Sequence, residues 1–347
     1  MSANPGGPPR AVIFGCAGLE LTAWERSFFS AADPVGIILF RRNVDSPEQV
    51  TTLVRRFREC VGRADALILV DQEGGRVARL GPPHWRSAPA AGRFAPLASR
   101  DLERARRATW LNSRLLADDL APLGITVDCL PVLDLRLPAA HDIVGDRSYG
   151  EDPDIVAALG CAACEGLLAG GVLPVIKHIP GHGRAVADSH FELPVVPADR
   201  ETLEATDFRP FRALADMPMA MTAHILYSAI DDQLPATLSA TVLADVVRGS
   251  IGFEGLLMSD DLSMKALGGD VGDRASAALE AGCDVVLHCN GDAAEMERIA
   301  AAARPLDAPG ASRLARAIEL VHGPAPFNRA AALTELDDLL GPVGAQG

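Results

Sequence analysis

The chain is short of several things that would narrow its role. Its first ten residues, MSANPGGPPR, hold no basic region followed by an apolar stretch, so no secretory signal is expected. No apolar run approaches the roughly 20 residues that span a bilayer, which argues against a membrane partner. Positive charge is scarce. Against 46 Asp and Glu there are 32 Lys and Arg, a net charge of -14 that makes nucleic acid a poor partner. Paired-cysteine motifs and HExxH are missing. Seven cysteines, an odd count, read as free thiols in a reducing compartment, which favours a cytoplasmic location. There is no low-complexity tract and no linker to mark a second domain.

What is present suits a folded enzyme. The 347 residues are 48% apolar and 22% charged, enough for a large core. Eight short apolar runs recur at 11–16, 35–40, 66–71, 126–134, 172–178, 219–225, 255–260 and 284–290. Continuous apolar runs suit strands buried on both faces of a parallel sheet. Between them lie stretches with helical periodicity at 47–60, 98–120, 152–169, 239–249 and 271–281, and LTAWERSFFSA near residue 21 suits another. Eight strands alternating with helices favour a single-domain α/β fold, a (β/α)8 TIM-type barrel, over an open doubly wound sheet. The barrel is placed at 11–341. Residues 1–10 and 342–347 are read as flexible ends, and helices at 312–321 and 328–340 as packing on the barrel.

Several runs end in polar or ionisable residues: Asp71, Asp134, Lys177-His178, His224, Asp260 and Asn290. In a parallel barrel these ends share one rim, where active sites are built. Four segments there carry chemistry. The densest is KHIPGHG at 177–183, followed by Asp188-Ser189-His190 and Pro194. A carboxylate next to an imidazole stabilises the charged ring, so Asp188 and His190 suit a general acid/base; an Asx turn with an exposed His is the plain alternative. His178, His182 and His190 could also be read as metal ligands, although no supporting motif accompanies them. Cys161 and Cys164 form a lone C-x-x-C within a helix and read as core thiols. In MSDDLSM (258–264), Asp260 closes a buried strand. It is equally a nucleophile or a structural carboxylate on this evidence, and Asp261 is a possible helix cap. DQEGGRVAR (71–79) combines a glycine turn with Asp71 and Arg79, either sugar-binding groups or a surface ion pair. GDRSYGEDP (145–153) holds Arg147 in a loop that ends in a helix cap.

Together with MTAH (221–224) and PATLS (235–239), these segments resemble glycoside hydrolase family 3, closest to its bacterial β-N-acetylhexosaminidase branch, in the family's order from about residue 11 to 320. The resemblance implies a lone (β/α)8 domain and a retaining exo-β-N-acetylglucosaminidase. It implies Asp260 as nucleophile, His190 as acid/base with Asp188 as its dyad partner, and Asp71, Arg79, Arg147, Lys177 and His178 around the sugar. No cofactor or metal is implied. The partner is a small carbohydrate, namely terminal β-linked N-acetylglucosamine on peptidoglycan fragments such as GlcNAc-1,6-anhydro-MurNAc peptides, handled by a monomer. His182 and Glu73 are expected to shape loops and His224 to line the pocket. A neutral His as acid/base repels an incoming anion less than a carboxylate does. A phosphorylase therefore stays open as an alternative, as does a non-catalytic sugar-binding barrel. At 15–18, Gly-Cys-Ala-Gly replaces a segment that often carries an acid in this family.

Overall fold

The computed structural model describes residues 7–138, 143–185, 189 and 192–341. The two ends assigned as flexible lie largely outside this range, as do Asp188 and His190.

All eight apolar runs form strands. They are β1 (Arg10–Gly15), β2 (Pro34–Leu39), β3 (Leu67–Val70), β4 (Val127–Asp128), β5 (Leu173–Ile179), β6 (Met219–Thr222), β7 (Leu256–Asp261) and β8 (Val285–His288). Each pairs in parallel with its sequence neighbours, and β8 closes on β1, with Val12 opposite Val286. The result is the closed eight-stranded barrel expected from the sequence. Its strands are buried along almost their full length because helices cover the outer face.

The main covering helices are α1 (Ala23–Ala32), α2 (Pro47–Val61), α3 (Leu102–Leu120), α4 (Pro153–Ala169), α5 (Arg200–Ala205), α6 (Arg209–Ala213), α7 (Val242–Ser250), α8 (Val271–Ala281), α9 (Ala293–Ala302), α10 (Ala308–Glu319) and α11 (Arg329–Leu340). Most start at a side-chain cap. Thr22 opens α1 in a capping box with Glu25, and Ser46, Asp152 and Asp270 open α2, α4 and α8. Pro47 sits in the first turn of α2, where its missing N–H costs nothing.

Three elements differ from their expected bounds for local reasons. The run at 126–134 gives only two residues of regular strand, because Pro131 has no N–H to offer the ladder. The chain stays beside β5 regardless, with the Leu133 N–H donating to the Lys177 carbonyl at 2.7 Å. The helix expected from 98 starts at 102, because Asp101 turns out of it and accepts from the Arg104 N–H. α7 winds with i→i+5 bonds instead of the regular α spacing. The tail helices are found, with α10 starting earlier, at Asp307.

Candidate active site

The C-terminal strand ends surround a cavity of about 220 Å³. Its described lining includes Phe40, Asp71, Glu73, Arg79, Arg147, Lys177, His178, Asp260, Asp261 and Met264. Of the residues singled out in the sequence, Asp71, Arg79, Arg147, Lys177, His178 and Asp260 therefore meet at one place. His224 and Asn290 do not. His224 is fully buried behind the wall, and Asn290 turns outward to Glu295. His224 as a pocket-lining residue is thus corrected: it is outside the cavity lining, with both ring nitrogens held by Thr237 and by the Asp261 carbonyl.

The floor is a buried charge lattice. Lys177, at the end of β5, donates from Nζ to Asp71 Oδ1 at 2.9 Å and pairs with Glu73 Oε1 at 2.7 Å. Arg79 reaches Asp71 Oδ2 at 2.9 Å. Arg147 grips Glu73 with two parallel bonds, 2.8 Å from Nε and 2.7 Å from Nη2. Asp71, Glu73 and Arg79 are brought together by a hairpin whose strands are Gln72–Gly74 and Val77–Ala78. It turns through Gly74 and Gly75 at φ of 93° and 56°, a conformation that disfavours residues with a Cβ. The Asp71–Arg79 contact is accordingly no surface ion pair. Glu73, expected only to shape a loop, is a member of the lattice that joins Arg147 to Lys177. The spacing of Glu73 two residues after Asp71, at the end of a buried strand, was the available signal.

Burial alone would raise the pKa of each carboxyl, but the cations outweigh it. Lys177 and Arg79 hold Asp71 well below the ordinary range, and Lys177 and Arg147 hold Glu73 at about 2. The same pairs, against the cost of burial, push Lys177 upward. All these groups stay charged near neutral pH. The buried Nε of Arg79 has no hydrogen-bond partner among the described residues.

His178 follows Lys177 across a cis peptide. Its Nδ1 donates to Asp134 Oδ2 at 2.6 Å, fixing the ring. Asp134 also accepts the backbone N–H groups of His178 and His182, at 3.2 and 2.7 Å. Burial opposes its ionisation, but His178 and these donors bring it to about 2. Asp134 is thus the brace of the KHIPGHG turn, a role its place in the sequence did not specify. His182 is buried behind His178, their ring centroids 5.7 Å apart, and its Nε2 lies 3.3 Å from Ser189 Oγ. Burial lowers its pKa to about 4 despite Asp134. Among the described residues no group of three or more His, Cys, Asp or Glu is placed to hold a metal ion; His190, the third residue of the possible ligand set, lies outside them.

Across the cavity Asp260 is the next-to-last residue of β7, partly open to the space. Its Oδ1 accepts the Asp261 N–H at 2.8 Å. Burial raises its pKa, but His178, His224 and that N–H outweigh it, so the carboxyl lies below its ordinary value. Asp261 does not cap a helix. Its carboxylate accepts from Ser263 N and Oγ and from the Cys289 N–H, tying β7 to β8. Phe40, after β2, forms an aromatic wall with the Arg79 guanidinium 5.1 Å from its ring centre. It went unnoticed in the sequence because a lone Phe at a strand end looks like core.

A closed (β/α)8 barrel with an ionised carboxylate, fixed cations and a phenyl ring at its C-terminal mouth is built as an enzyme site suited to a polar, polyhydroxylated substrate. Residues 22–321 match the family model described as "Glycosyl hydrolase family 3 N terminal domain". The β-hexosaminidase of Alkalilimnicola ehrlichii is 41% identical over 283 residues, covering 80% of each chain. That of Methylococcus capsulatus is 38% identical over 305 residues, covering 87% of this chain and 89% of its own. Among solved structures, NagZ from Neisseria gonorrhoeae in complex with N-trifluoroacetyl-D-glucosamine superposes with a TM-score of 0.87 at 33% identity, over 96% of this chain and 99% of that one. The chain belongs to glycosyl hydrolase family 3, and it is a glycoside hydrolase of the β-hexosaminidase type.

Proposed function

We propose that the protein is a retaining exo-β-N-acetylglucosaminidase that removes terminal β-linked N-acetylglucosamine from peptidoglycan fragments through a covalent bond to Asp260. The single observation that carries this is Asp260, ionised and open to a cavity at the mouth of the barrel, opposite a lattice of groups able to hold sugar hydroxyls. A relative of nearly equal length binds an N-acylated glucosamine at 33% identity, which supports the N-acetyl sugar.

In this reading Asp71, Arg79, Arg147, Lys177 and His178 hold the sugar. Asp71 accepts from hydroxyls, and Lys177 and the Arg79 guanidinium donate to them. Arg147 acts chiefly by fixing Glu73. Asp260 attacks the anomeric carbon as the glycosidic bond breaks. The departing oxygen takes a proton from His190, whose charged form Asp188 favours. Water then attacks the glycosyl-Asp260 ester as neutral His190 accepts its proton, and the sugar leaves with retained configuration. The carboxylates facing the cavity support an imidazole acid. Asp71, Glu73 and Asp260 are all held ionised, and the Asp261 carboxylate is occupied by three donors. Asp71, Glu73 and Asp260 are not suited to give a proton near pH 7. The monomeric state belongs to the same proposal and is checked by light scattering.

The test is hydrolysis of an aryl β-N-acetylglucosaminide against the matching β-glucoside, with and without phosphate. Preference for the N-acetyl substrate and release of free sugar in phosphate are expected. Replacing Asp260 with Ala should lower kcat by at least about 10³-fold. Retention of substantial turnover overturns the assignment, and a sugar 1-phosphate product would make the enzyme a phosphorylase.

A further inference from the structure

Of the MTAH and PATLS segments only Met221 lines the cavity, and the rest of the two segments meet directly behind Asp260. His224 is fully buried, with Nε2 3.0 Å from the Asp261 carbonyl oxygen and Nδ1 2.7 Å from Thr237 Oγ1. Thr222 Oγ1 lies 2.7 Å from the same Thr237 hydroxyl. A carbonyl oxygen only accepts, so Nε2 must carry a hydrogen. Burial, the largest influence on this ring, lowers its pKa and favours the neutral form. Nδ1 is then an acceptor, and Thr237 Oγ1 must donate to it. Thr237 in turn accepts from Thr222. The Ala223 carbonyl, 3.1 Å from Thr237 Oγ1, competes for the same proton over a longer distance. One arrangement therefore runs from Thr222 through Thr237 and His224 to the Asp261 carbonyl.

We infer that Thr222, Thr237 and His224 form a positioning chain for the nucleophile, acting through the Asp261 peptide. This rests on the reading of Asp260 as nucleophile. The Asp261 residue is held at three points. Its N–H donates to Asp260 Oδ1, its carbonyl accepts from His224 at 3.0 Å and from the Met264 N–H at 3.1 Å, and its side chain accepts from Ser263 and Cys289. The N–H that orients the Asp260 carboxylate and the carbonyl that His224 grips belong to one residue. Losing the His224 bond leaves the carbonyl to the Met264 N–H alone, and any shift of the residue carries its N–H with it. A nucleophile displaced by about 1 Å loses on the order of 10²-fold in rate. Among the described residues no side-chain hydrogen bond joins the sugar-holding lattice to this chain, so sugar affinity should not change.

The two ring nitrogens can be tested apart. The Gln amide nitrogen reaches to where Nε2 lies, whereas the Asn amide reaches only to Nδ1. His224→Asn should therefore lower kcat on an aryl β-N-acetylglucosaminide by about 30- to 100-fold. His224→Gln should recover most of that loss. Thr237→Val should cost about tenfold, with Thr237→Ser recovering it; this pair also serves if a His224 variant does not fold. The affinity for N-acetylglucosamine, measured by inhibition, should stay within about twofold of the parent enzyme throughout. Equal kcat values for Asn and Gln, or for Val and Ser, overturn the inference. So does a loss of N-acetylglucosamine affinity in step with kcat. An Asp260→Asn variant run in parallel separates the two claims: if it turns over freely, the nucleophile reading fails whatever the His224 variants do.

Discussion

At the residue scale, charge is arranged so that one carboxylate is free to react while its neighbours are committed. Asp71 and Glu73 are saturated by Lys177, Arg79 and Arg147, whereas Asp260 accepts only a backbone N–H from the protein among its described hydrogen bonds. The sign of its shift gives a pH prediction. A lowered pKa keeps Asp260 ionised until the pH falls below its ordinary value of 3.8. A decline in kcat/KM between pH 4.5 and 5.5 would then belong to another group. The alkaline limb should report the proton on His190. Replacing His190 with Gln should lower kcat about 10²- to 10⁴-fold for a poor leaving group and abolish that limb, with a smaller loss for an activated aryl leaving group. Pre-steady-state and pH-rate measurements on both substrates check this. An unchanged alkaline limb in the variant would remove His190 from the acid/base role.

At the scale of elements, the hairpin after β3 is the part most sensitive to small changes. It delivers Asp71, Glu73 and Arg79 to the cavity, and its turn depends on Gly74, where an added Cβ would meet the Pro89 carbonyl. Removing one charge there should also be costly. Glu73→Gln would leave Arg147 and Lys177 sharing one fewer buried anion, and breaking such a pair destabilises by about 3–5 kcal/mol. Urea unfolding of the variant should show a lower midpoint with an unchanged slope. A loss under 1 kcal/mol would mean that water enters and solvates the cations.

Much of this was legible in the sequence, and the limits have physical causes. Buried parallel strands give continuous apolar runs, so all eight were visible, and polar residues at their ends marked the mouth. Lys177, His178 and Asp260 could be placed by that rule alone. Partnerships between residues distant in the chain could not. That Asp134 braces the 177–183 turn, or that Glu73 ties Arg147 to Lys177, depends on which strands become neighbours. His224 sits at a strand end like Asp260, and only the packing decides that one faces the cavity and the other the wall. The pattern faded at α9, where AAEMERIAAA is rich in small residues and its apolar face has little contrast.

At the scale of the whole molecule, His182, Glu73 and Asp134 tie stability to pH in one direction, while burial raises the carboxyls of Asp128, Asp207 and Asp119 and acts in the other. His182 is held neutral, with its pKa lowered from 6.5 to about 4. Its contribution is complete above pH 6.5 and is lost as the pH falls toward 4. Glu73 and Asp134 are held ionised at about 2, so theirs is present above their ordinary values of 4.5 and 3.8 and is lost below. In each case the unfolded chain binds more protons, so stability rises with pH. Tm by calorimetry should climb from pH 4 to about 6.5 and then level. His182→Asn should flatten that first rise, which reflects on the order of 3 kcal/mol. The same Tm profile from pH 4 to 7 in His182→Asn and in the parent protein would contradict the burial argument. No helix among the described residues is long and apolar enough to cross a membrane.

The central claim is a covalent sugar–Asp260 ester, and trapping it is the direct test. The enzyme would be incubated with a fluorosugar analogue of N-acetylglucosamine that forms the ester quickly and hydrolyses it slowly, then digested and mapped by mass spectrometry. The account predicts one sugar added per chain, on the peptide containing Asp260, with loss of activity in proportion. A sugar attached to any other residue, or rapid turnover of the analogue with no adduct at all, would contradict it.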